Sequence, residues 1–510
     1  MKRLLPLLLA MALLLSGCAE APEPEEDDFL MAGELDQAEE TAQPIRSFTL
    51  PIYAGQSLDP LTCSDGLQQN VAALLYEGLF TLTPDFEAEY CLCDSYTYDA
   101  DRFVYTFHIR EGVSFSDGTA LTARDVVATY VRAQESARYG ARFANVSSMR
   151  YQGTDTVRIA LTRADAAFPT LLDIPIVRRG TESRTVPVGT GPYLYITEGT
   201  QDYLKANPAW WRGQTQPLVR MELSAVKDED TAAYRFSSGE VQLISSDLLS
   251  GGSLSAASGV TVTAADTTEL LYLGFRCGGL FESAALRQAV SYGVDRASLV
   301  SGYLSGYARA AAFPISPASR LYPADQEHSY QLSRYTEALS TLGYGADGEE
   351  RQRSATLLVC DESSEKLAMA KAIAARLSQG RLTVTVKALP WEQYLTALQN
   401  GKYDLYLAEV RLTAEWELSP LVGSGGSLNY GGYSDAQMDQ LLAQFRAAQG
   451  EERSYVAAQL CRYLAQQVPL VPICFLRSSV LTQTAVLSTL TPTAASPFYG
   501  LENWKITLSH

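Results

Sequence analysis

Histidine is nearly missing from this chain: three occur in 510 residues, His108, His328 and His510, widely separated. That scarcity argues against a histidine-built metal site and leaves too few imidazoles for a convincing catalytic triad. There is no Gly-x-Ser-x-Gly elbow and no His-Glu-x-x-His, and the glycine-rich stretches lack the Lys-Ser/Thr ending of a phosphate loop. Paired carboxylates such as Glu349-Glu350 sit in a charged loop; a glycosidase pair, which forms in space, is the enzymatic chemistry left open. After residue 18 no apolar run is long enough to cross a bilayer. The eight cysteines, at 18, 63, 91, 93, 277, 360, 461 and 474, show no metal-like spacing. Cys91 and Cys93 share one face of a possible strand and lie too close for easy bridging. Most of these thiols read as small buried apolar residues, without a disulfide framework. No cofactor and no metal are expected.

What is present begins at the N-terminus. Met1-Lys2-Arg3 is a short basic start, Leu4 to Leu15 is almost unbroken apolar sequence, and Leu15-Ser16-Gly17-Cys18 follows at once. An apolar run of about a dozen residues is too short to span a membrane, so residues 1–18 read as an export signal. The cleavage region resembles a bacterial lipobox, which implies that Cys18 is lipidated and anchors the mature chain. Residues 19–43 hold ten Asp or Glu and no Lys or Arg. Such a segment cannot bury enough apolar surface to fold, so it reads as a disordered acidic tether. Without Lys2 and Arg3 the net charge of −18 becomes −20, which argues against nucleic-acid binding.

The remaining 44–510 exceed what one hydrophobic core serves, so two or three domains are expected. Strands and helices alternate. Phe103, Tyr105, Phe107 and Ile109 alternate with polar or smaller neighbours, a period-two strand. Thr122 and Asp125 form a capping-box start for a helix through Val126, Val127, Tyr130 and Val131. Ser283 precedes a helix with Leu286, Ala289, Val290 and Val294 on one face; Ser434 with Gln437 predicts another, whose Met438, Leu441, Leu442 and Phe445 share a face. Tyr403 to Ala408 reads as a buried strand, and Val468 to Leu476 as a strand whose two prolines put it near an edge. Ser250–Ser253 and Gly423–Ser427 read as surface loops, and Gly189-Thr190-Gly191-Pro192 as a tight turn that uses glycine's backbone freedom. The fold class is mixed α/β.

Several short motifs come in order. Leu58-Asp59-Pro60 precedes Leu75-Tyr76-Glu77-Gly78-Leu79. Tyr105 to Val113 leads into Phe115-Ser116-Asp117-Gly118-Thr119 and Thr122-Ala123-Arg124-Asp125-Val126. Pro187 to Tyr193, Asn207 to Gly213, Ser238-Gly239-Glu240, Leu286 to Val290 with Val294-Asp295-Arg296, and Gly432-Tyr433-Ser434 complete the set. Together, from about residue 45 to 480, they resemble the extracytoplasmic solute-binding proteins of peptide and nickel ABC importers. The resemblance implies a two-lobed, periplasmic-binding-protein-like fold with an extra inserted domain and a hinged cleft. The first lobe would combine 44–62, 185–270 and 478–510, the inserted domain 63–184, and the second lobe 271–477. A ligand bridging both lobes would stabilise the closed state by its differential affinity.

The same resemblance nominates cleft residues. Tyr53, Ala54 and Gly55 would line the first lobe. In the second, peptide-binding members commonly carry an Asp four residues before a proline, to receive the ligand's amino group. Here Trp416 stands four residues before Pro420, between Glu415 and Glu417; a glutamate could substitute, or the indole could face a cation or a sugar-like ring. Arg276, where the family often has Asn, could pair with a carboxylate. Trp391, Arg411, Asn429, Tyr430 and Tyr499 complete the candidates. The implied function is a lipid-anchored receptor, monomeric and extracytoplasmic, that delivers an oligopeptide or similar small solute to an ABC permease with its ATPase subunits. A ligand-binding sensor without transport, and a secreted hydrolase, are the competing classes.

Overall fold

The computed structural model describes residues 47–246, 259–305, 307–327, 329–343, 353–380, 382–484 and 486–507. The signal, the acidic tether, the Ser250–Ser253 loop and Glu349-Glu350 lie outside these residues. Three larger sheets organise the chain. One places Thr49–Tyr53 beside Arg220–Val226, followed by Gln201–Ala206 and Tyr193–Glu198. The second runs Cys93–Asp99, Val104–Ile109, Thr156–Leu161, Val146–Gln152 and is wholly antiparallel. The third has seven strands in the order Leu243–Ser246, Leu470–Gln483, Val260–Phe275, Leu405–Arg411, Arg353–Cys360 and Leu382–Leu389, with Ala308–Ala310 also paired to Leu470–Gln483.

Local sequence accounts for much of this. Tyr105, Phe107 and Ile109 turn inward from their strand, as alternation requires, and pack on the helix Ala123–Gln134. That helix starts where expected: the Asp125 carboxylate accepts from the Thr122 amide at 3.1 Å, closing the capping box. The helix Ala436–Ala447 starts one residue later than expected. Asp435, not Ser434, accepts from the Met438 amide at 2.8 Å, because a carboxylate is the stronger N-cap acceptor. The proline-bearing strand is central only further along: Leu470–Gln483 pairs with Ala308–Ala310 at 474–476 and with Leu243–Ser246 at 479–482, while at Pro472 it pairs with Val260–Phe275 on one side alone, so this proline falls at a local edge as expected.

The motifs make sense as one junction. Glu77 is half-buried, and its carboxylate accepts from the Thr190 hydroxyl at 2.9 Å and from the Trp210 and Trp211 indoles at 3.2 and 2.8 Å. Burial pushes its pKa up, while the Trp211, Thr190 and Trp210 donors and the nearby Arg212 guanidinium pull it back. Gly189 and Gly191 do not use left-handed backbone, contrary to the tight-turn expectation. They are needed because a Cβ at either position would run into the backbone of Leu75. Asp59, also buried, is paired with Arg132 of the helix Ala123–Gln134. These contacts fasten the antiparallel sheet to the Thr49–Tyr53 sheet.

Described cysteines are all free, five of them buried and Cys277 and Cys360 half-buried. Burial pushes the Cys91, Cys93 and Cys474 thiols up to about 12.

Removing the Glu77 carboxylate leaves three buried donors without an acceptor. Glu77→Ala is expected to lower unfolding free energy by roughly 3–5 kcal/mol, and Glu77→Gln by less. Urea denaturation with a loss below about 1 kcal/mol would show that the junction does not depend on this carboxylate.

Candidate functional site at the strand crossing

Two long strands pass between the halves of the molecule. Val260–Phe275 and Leu470–Gln483 pair antiparallel along their lengths, with a register shift between Asp266 and Leu270. On one side of that shift they pair with Leu243–Ser246 and pack beneath Phe236 and Val241. On the other side they carry the second-lobe sheet through Leu405–Arg411. At the shift, the Asp266 carboxylate meets Arg309 at 2.9 Å and Arg477 at 3.1 Å. The Thr267 hydroxyl donates to the Leu476 carbonyl at 2.6 Å, stitching one strand to the other.

The sheet directions aim strand ends at this crossing. Arg353–Cys360, Leu382–Leu389 and Leu405–Arg411 are mutually parallel, and the last ends opposite Glu269, beside the shift. Across it, Tyr53 ends Thr49–Tyr53, where its amide donates to Gln68 at 2.9 Å; Asn70, on the same helix, donates to Ser245 at 2.6 Å. Ligands of open α/β sheets bind outside such carboxyl ends.

The candidate residues divide accordingly. Tyr53, Ala54 and Gly55 sit at the first-lobe strand end, Gly55 in left-handed backbone with φ +72°. Trp391 stands at the second-lobe edge, 51 % exposed. Its ring stacks on Tyr394 at 5.9 Å, and its amide donates to Glu362 at 3.2 Å. Arg411 is exposed and donates through Nε to Glu269 at 2.8 Å. Tyr499 donates to Glu89 at 3.1 Å, which ties the C-terminal segment to the hairpin of Phe80–Leu82 and Ala88–Tyr90.

Four candidates are placed differently from expectation. Arg276 sits at the other end of its strand: Glu269 faces Arg411, but Phe275 faces Leu405, and the Arg276 amide donates to Asp404. Six residues of extended strand, roughly 20 Å, separate it from the crossing. Tyr430 shares that far end, where its carbonyl accepts from Tyr403 at 2.6 Å and the adjacent Gly431 carbonyl accepts from the Cys277 amide. Asn429 is occupied within its loop, donating to the Gly423 and Tyr433 carbonyls and accepting from the Tyr433 amide. Trp416 offers no open face. It is 1 % exposed and held edge-on between Phe86 at 5.2 Å and Phe475 at 5.8 Å.

Glu415 is buried beside Trp416, and one of its oxygens, Oε2, has no hydrogen-bond partner. Glu417 instead pairs with Arg163 at 2.9 Å and Arg446 at 3.6 Å. Residues 85, 86 and 163–168 of the antiparallel-sheet domain therefore meet the second lobe here, with Arg320 on Asp85 at 2.6 Å and the Ala166 amide on the Arg446 carbonyl at 2.8 Å. A cavity of about 360 Å³ opens beside this contact, bordered by Arg163, Ser419, Gly425, Asp439 and Arg446. Sequence reading missed this contact; Phe86 sits in an ordinary Thr-Pro-Asp-Phe turn, with only its left-handed φ of 66° setting it apart. Among the described residues, no group of acids, histidines and cysteines could hold a metal ion, and no helix is long and apolar enough to cross a membrane.

Two lobes joined by a pair of crossing strands, with strand ends facing a shared crevice, define a solute-binding protein of the periplasmic type. Residues 87–420 match the model of the bacterial extracellular solute-binding proteins, family 5. The glutathione-binding protein GsiB of Escherichia coli is 27 % identical over 448 residues, covering 82 % of this chain and 86 % of the relative. The nickel ABC transporter structure from Bacillus halodurans superposes with a TM-score of 0.74 at 19 % identity, over 89 % of this chain and 98 % of that one. The oligopeptide-binding protein AppA of Bacillus subtilis, in complex with a nonapeptide, gives 0.61 at 19 % identity, over 91 % and 100 %. The chain belongs to the bacterial extracellular solute-binding proteins of family 5, the substrate-binding components of ABC importers.

If Trp416 serves packing, Trp416→Ala should cost roughly 3–5 kcal/mol of stability, and Trp416→Phe much less. Chemical denaturation reads this directly. An unchanged midpoint with lost solute capture would return Trp416 to the ligand.

Proposed function

We propose that this protein is a lipid-anchored receptor, tethered through Cys18, that captures an oligopeptide or similar small solute between its lobes and hands it to an ABC permease driven by ATPase subunits. It would work as a monomer, with 44–62, 185–270 and 478–510 as the first lobe, 63–184 as the inserted domain and 271–477 as the second lobe. The observation that carries this reading is the convergence of strand ends from both lobes on the crossing at Asp266.

Within the crevice, Tyr53, Ala54 and Gly55 are assigned to one wall and Trp391 and Arg411 to the other. Trp391 is the strongest anchor: it is exposed, yet its ring is held by Tyr394 and its amide by Glu362. A rigid aromatic of this kind gives contact area at low entropic cost. The Arg411–Glu269 pair offers one cation and one anion to a zwitterionic ligand: Arg411 is exposed and free to swing, while Glu269 is mostly covered. Glu415 and Trp416 are assigned to packing between domains, so a free amine would be received elsewhere than at the position other family members use.

Native mass spectrometry of the protein purified without added ligand tests the reading. A copurified mass that leaves on denaturation is expected, and its fragmentation identifies peptide, chelate or sugar. With that solute in hand, Trp391→Ala should weaken binding about tenfold, or ~1.4 kcal/mol, without moving the denaturation midpoint. Unchanged affinity would remove Trp391 from the site.

A further inference from the structure

The contact between the inserted domain and the second lobe holds more carboxylate than its cations serve. We propose that closure of the two lobes takes up a proton, held by Glu415 and Asp165 where they meet, so that solute capture tightens as the surroundings turn acidic. This goes beyond the receptor function and rests on its hinged-lobe reading.

Glu415 comes from the loop after Leu405–Arg411 and Asp165 from the loop after Thr156–Leu161. Both are buried. Three arginines are near, but none of their observed hydrogen bonds reaches either carboxylate. Arg453 gives Nη1 to the Phe445 carbonyl at 2.8 Å and Nη2 to the Glu415 backbone carbonyl at 2.7 Å, rather than to a carboxylate. Arg163 goes to Glu417, and Arg446 to the Ser419 hydroxyl and Glu417. Among the described residues, neither Glu415 nor Asp165 forms an ion pair. The Glu415 carboxylate takes hydrogen bonds from its own amide and from Thr413, while Oε2 has no partner. Asp165 takes the Ala167 amide at 3.2 Å.

The other charged and titratable groups facing the pair do not restore the balance. From the inserted domain come Arg142, already paired with Asp173, then Glu87, and the phenols of Tyr98 and Tyr105; Tyr105 donates to the Asp165 backbone carbonyl at 2.8 Å. From the second lobe come Glu417, Arg446 and Arg453. For Glu415, burial is the largest influence and the Asp165 charge the next, and both raise its pKa. Burial also raises Asp165, against the pull of Arg453. Two buried carboxyls that repel each other keep a proton to a higher pH than either does in water.

Separating the lobes would return both groups to solvent. The closed form therefore binds more protons than the open form. Closure is favoured below the raised values and loses ground as pH climbs from the ordinary carboxylate range, about 4, through them.

Spin labels carried on unnatural side chains at Tyr151 of the inserted domain and Tyr455 of the second lobe, both exposed, report the separation without touching the cysteines. Distance distributions would be taken from about pH 5 to about pH 9, where one linked proton changes the closed-to-open ratio by up to tenfold per pH unit. The short-distance population should fall as pH rises. Glu415→Gln, which keeps the shape and removes the charge, should hold it high and flatten the profile, and Asp165→Asn should do so in part. Two populations whose ratio ignores pH, or a Glu415→Gln profile like the wild type, would overturn the proton linkage and leave the hinged reading standing. A single distance at every pH, in the wild type and in Phe86→Ala alike, would sink the hinged reading and the linkage with it.

Discussion

Everything in this protein is arranged around two strands that pair with each other from one lobe into the other. Val260–Phe275 and Leu470–Gln483 supply the backbone hydrogen bonds that join the halves, so the join is a ladder rather than a linker. A ladder resists stretching and shear but yields to twist where its register slips. Such a slip falls at Asp266, where one carboxylate is shared by Arg309 and Arg477. Both arginines sit on strands of the same sheet as Asp266, so the clamp lies within that sheet, beside the register shift. The aim of the strand ends and the burial of the domain contact follow from this joint.

The inserted domain touches both lobes. Its core, around Tyr105, Phe107 and Tyr130, extends to Leu61 and Val188 of the first lobe, to which Glu77 and the Asp59–Arg132 pair also hold it. On its other side Phe86 packs edge-on against Trp416. Both of those aromatics adopt left-handed backbone, with φ of 66° and 59°, a conformation unusual for large side chains. Strain of this sort persists where the surroundings enforce it.

Local sequence spoke clearly wherever a single element decided the outcome. The alternation through Tyr105, Phe107 and Ile109, the Thr122 capping box and the buried face of the Ser283 helix each depend on residues a few positions apart. It misled where tertiary partners decided. The glycines near residue 190 looked like a turn, though what they answer to is Leu75, more than a hundred positions away. The candidate site shows the same division. The resemblance nominated Tyr53, Trp391 and Arg411, and each stands at or just beyond the end of a strand. Arg276 was lost because strand direction, which sequence does not state, put it at the far edge. The resemblance pointed to Glu415 and Trp416 as cleft residues, whereas their neighbours Asp165 and Phe86 come from a domain more than 200 residues earlier.

The thiols carry a practical consequence. A family that works outside the cytoplasm meets oxidants, and only the thiolate form of a cysteine reacts readily with them. Cys91, Cys93 and Cys474 hold their protons up to about 12 and lie out of reach of solvent. Near neutral pH, therefore, these three stay in the protonated, unreactive form. Among the described residues it is packing, not cross-linking, that shields these three thiols, and the half-buried Cys277 and Cys360 are the ones an oxidant would meet first.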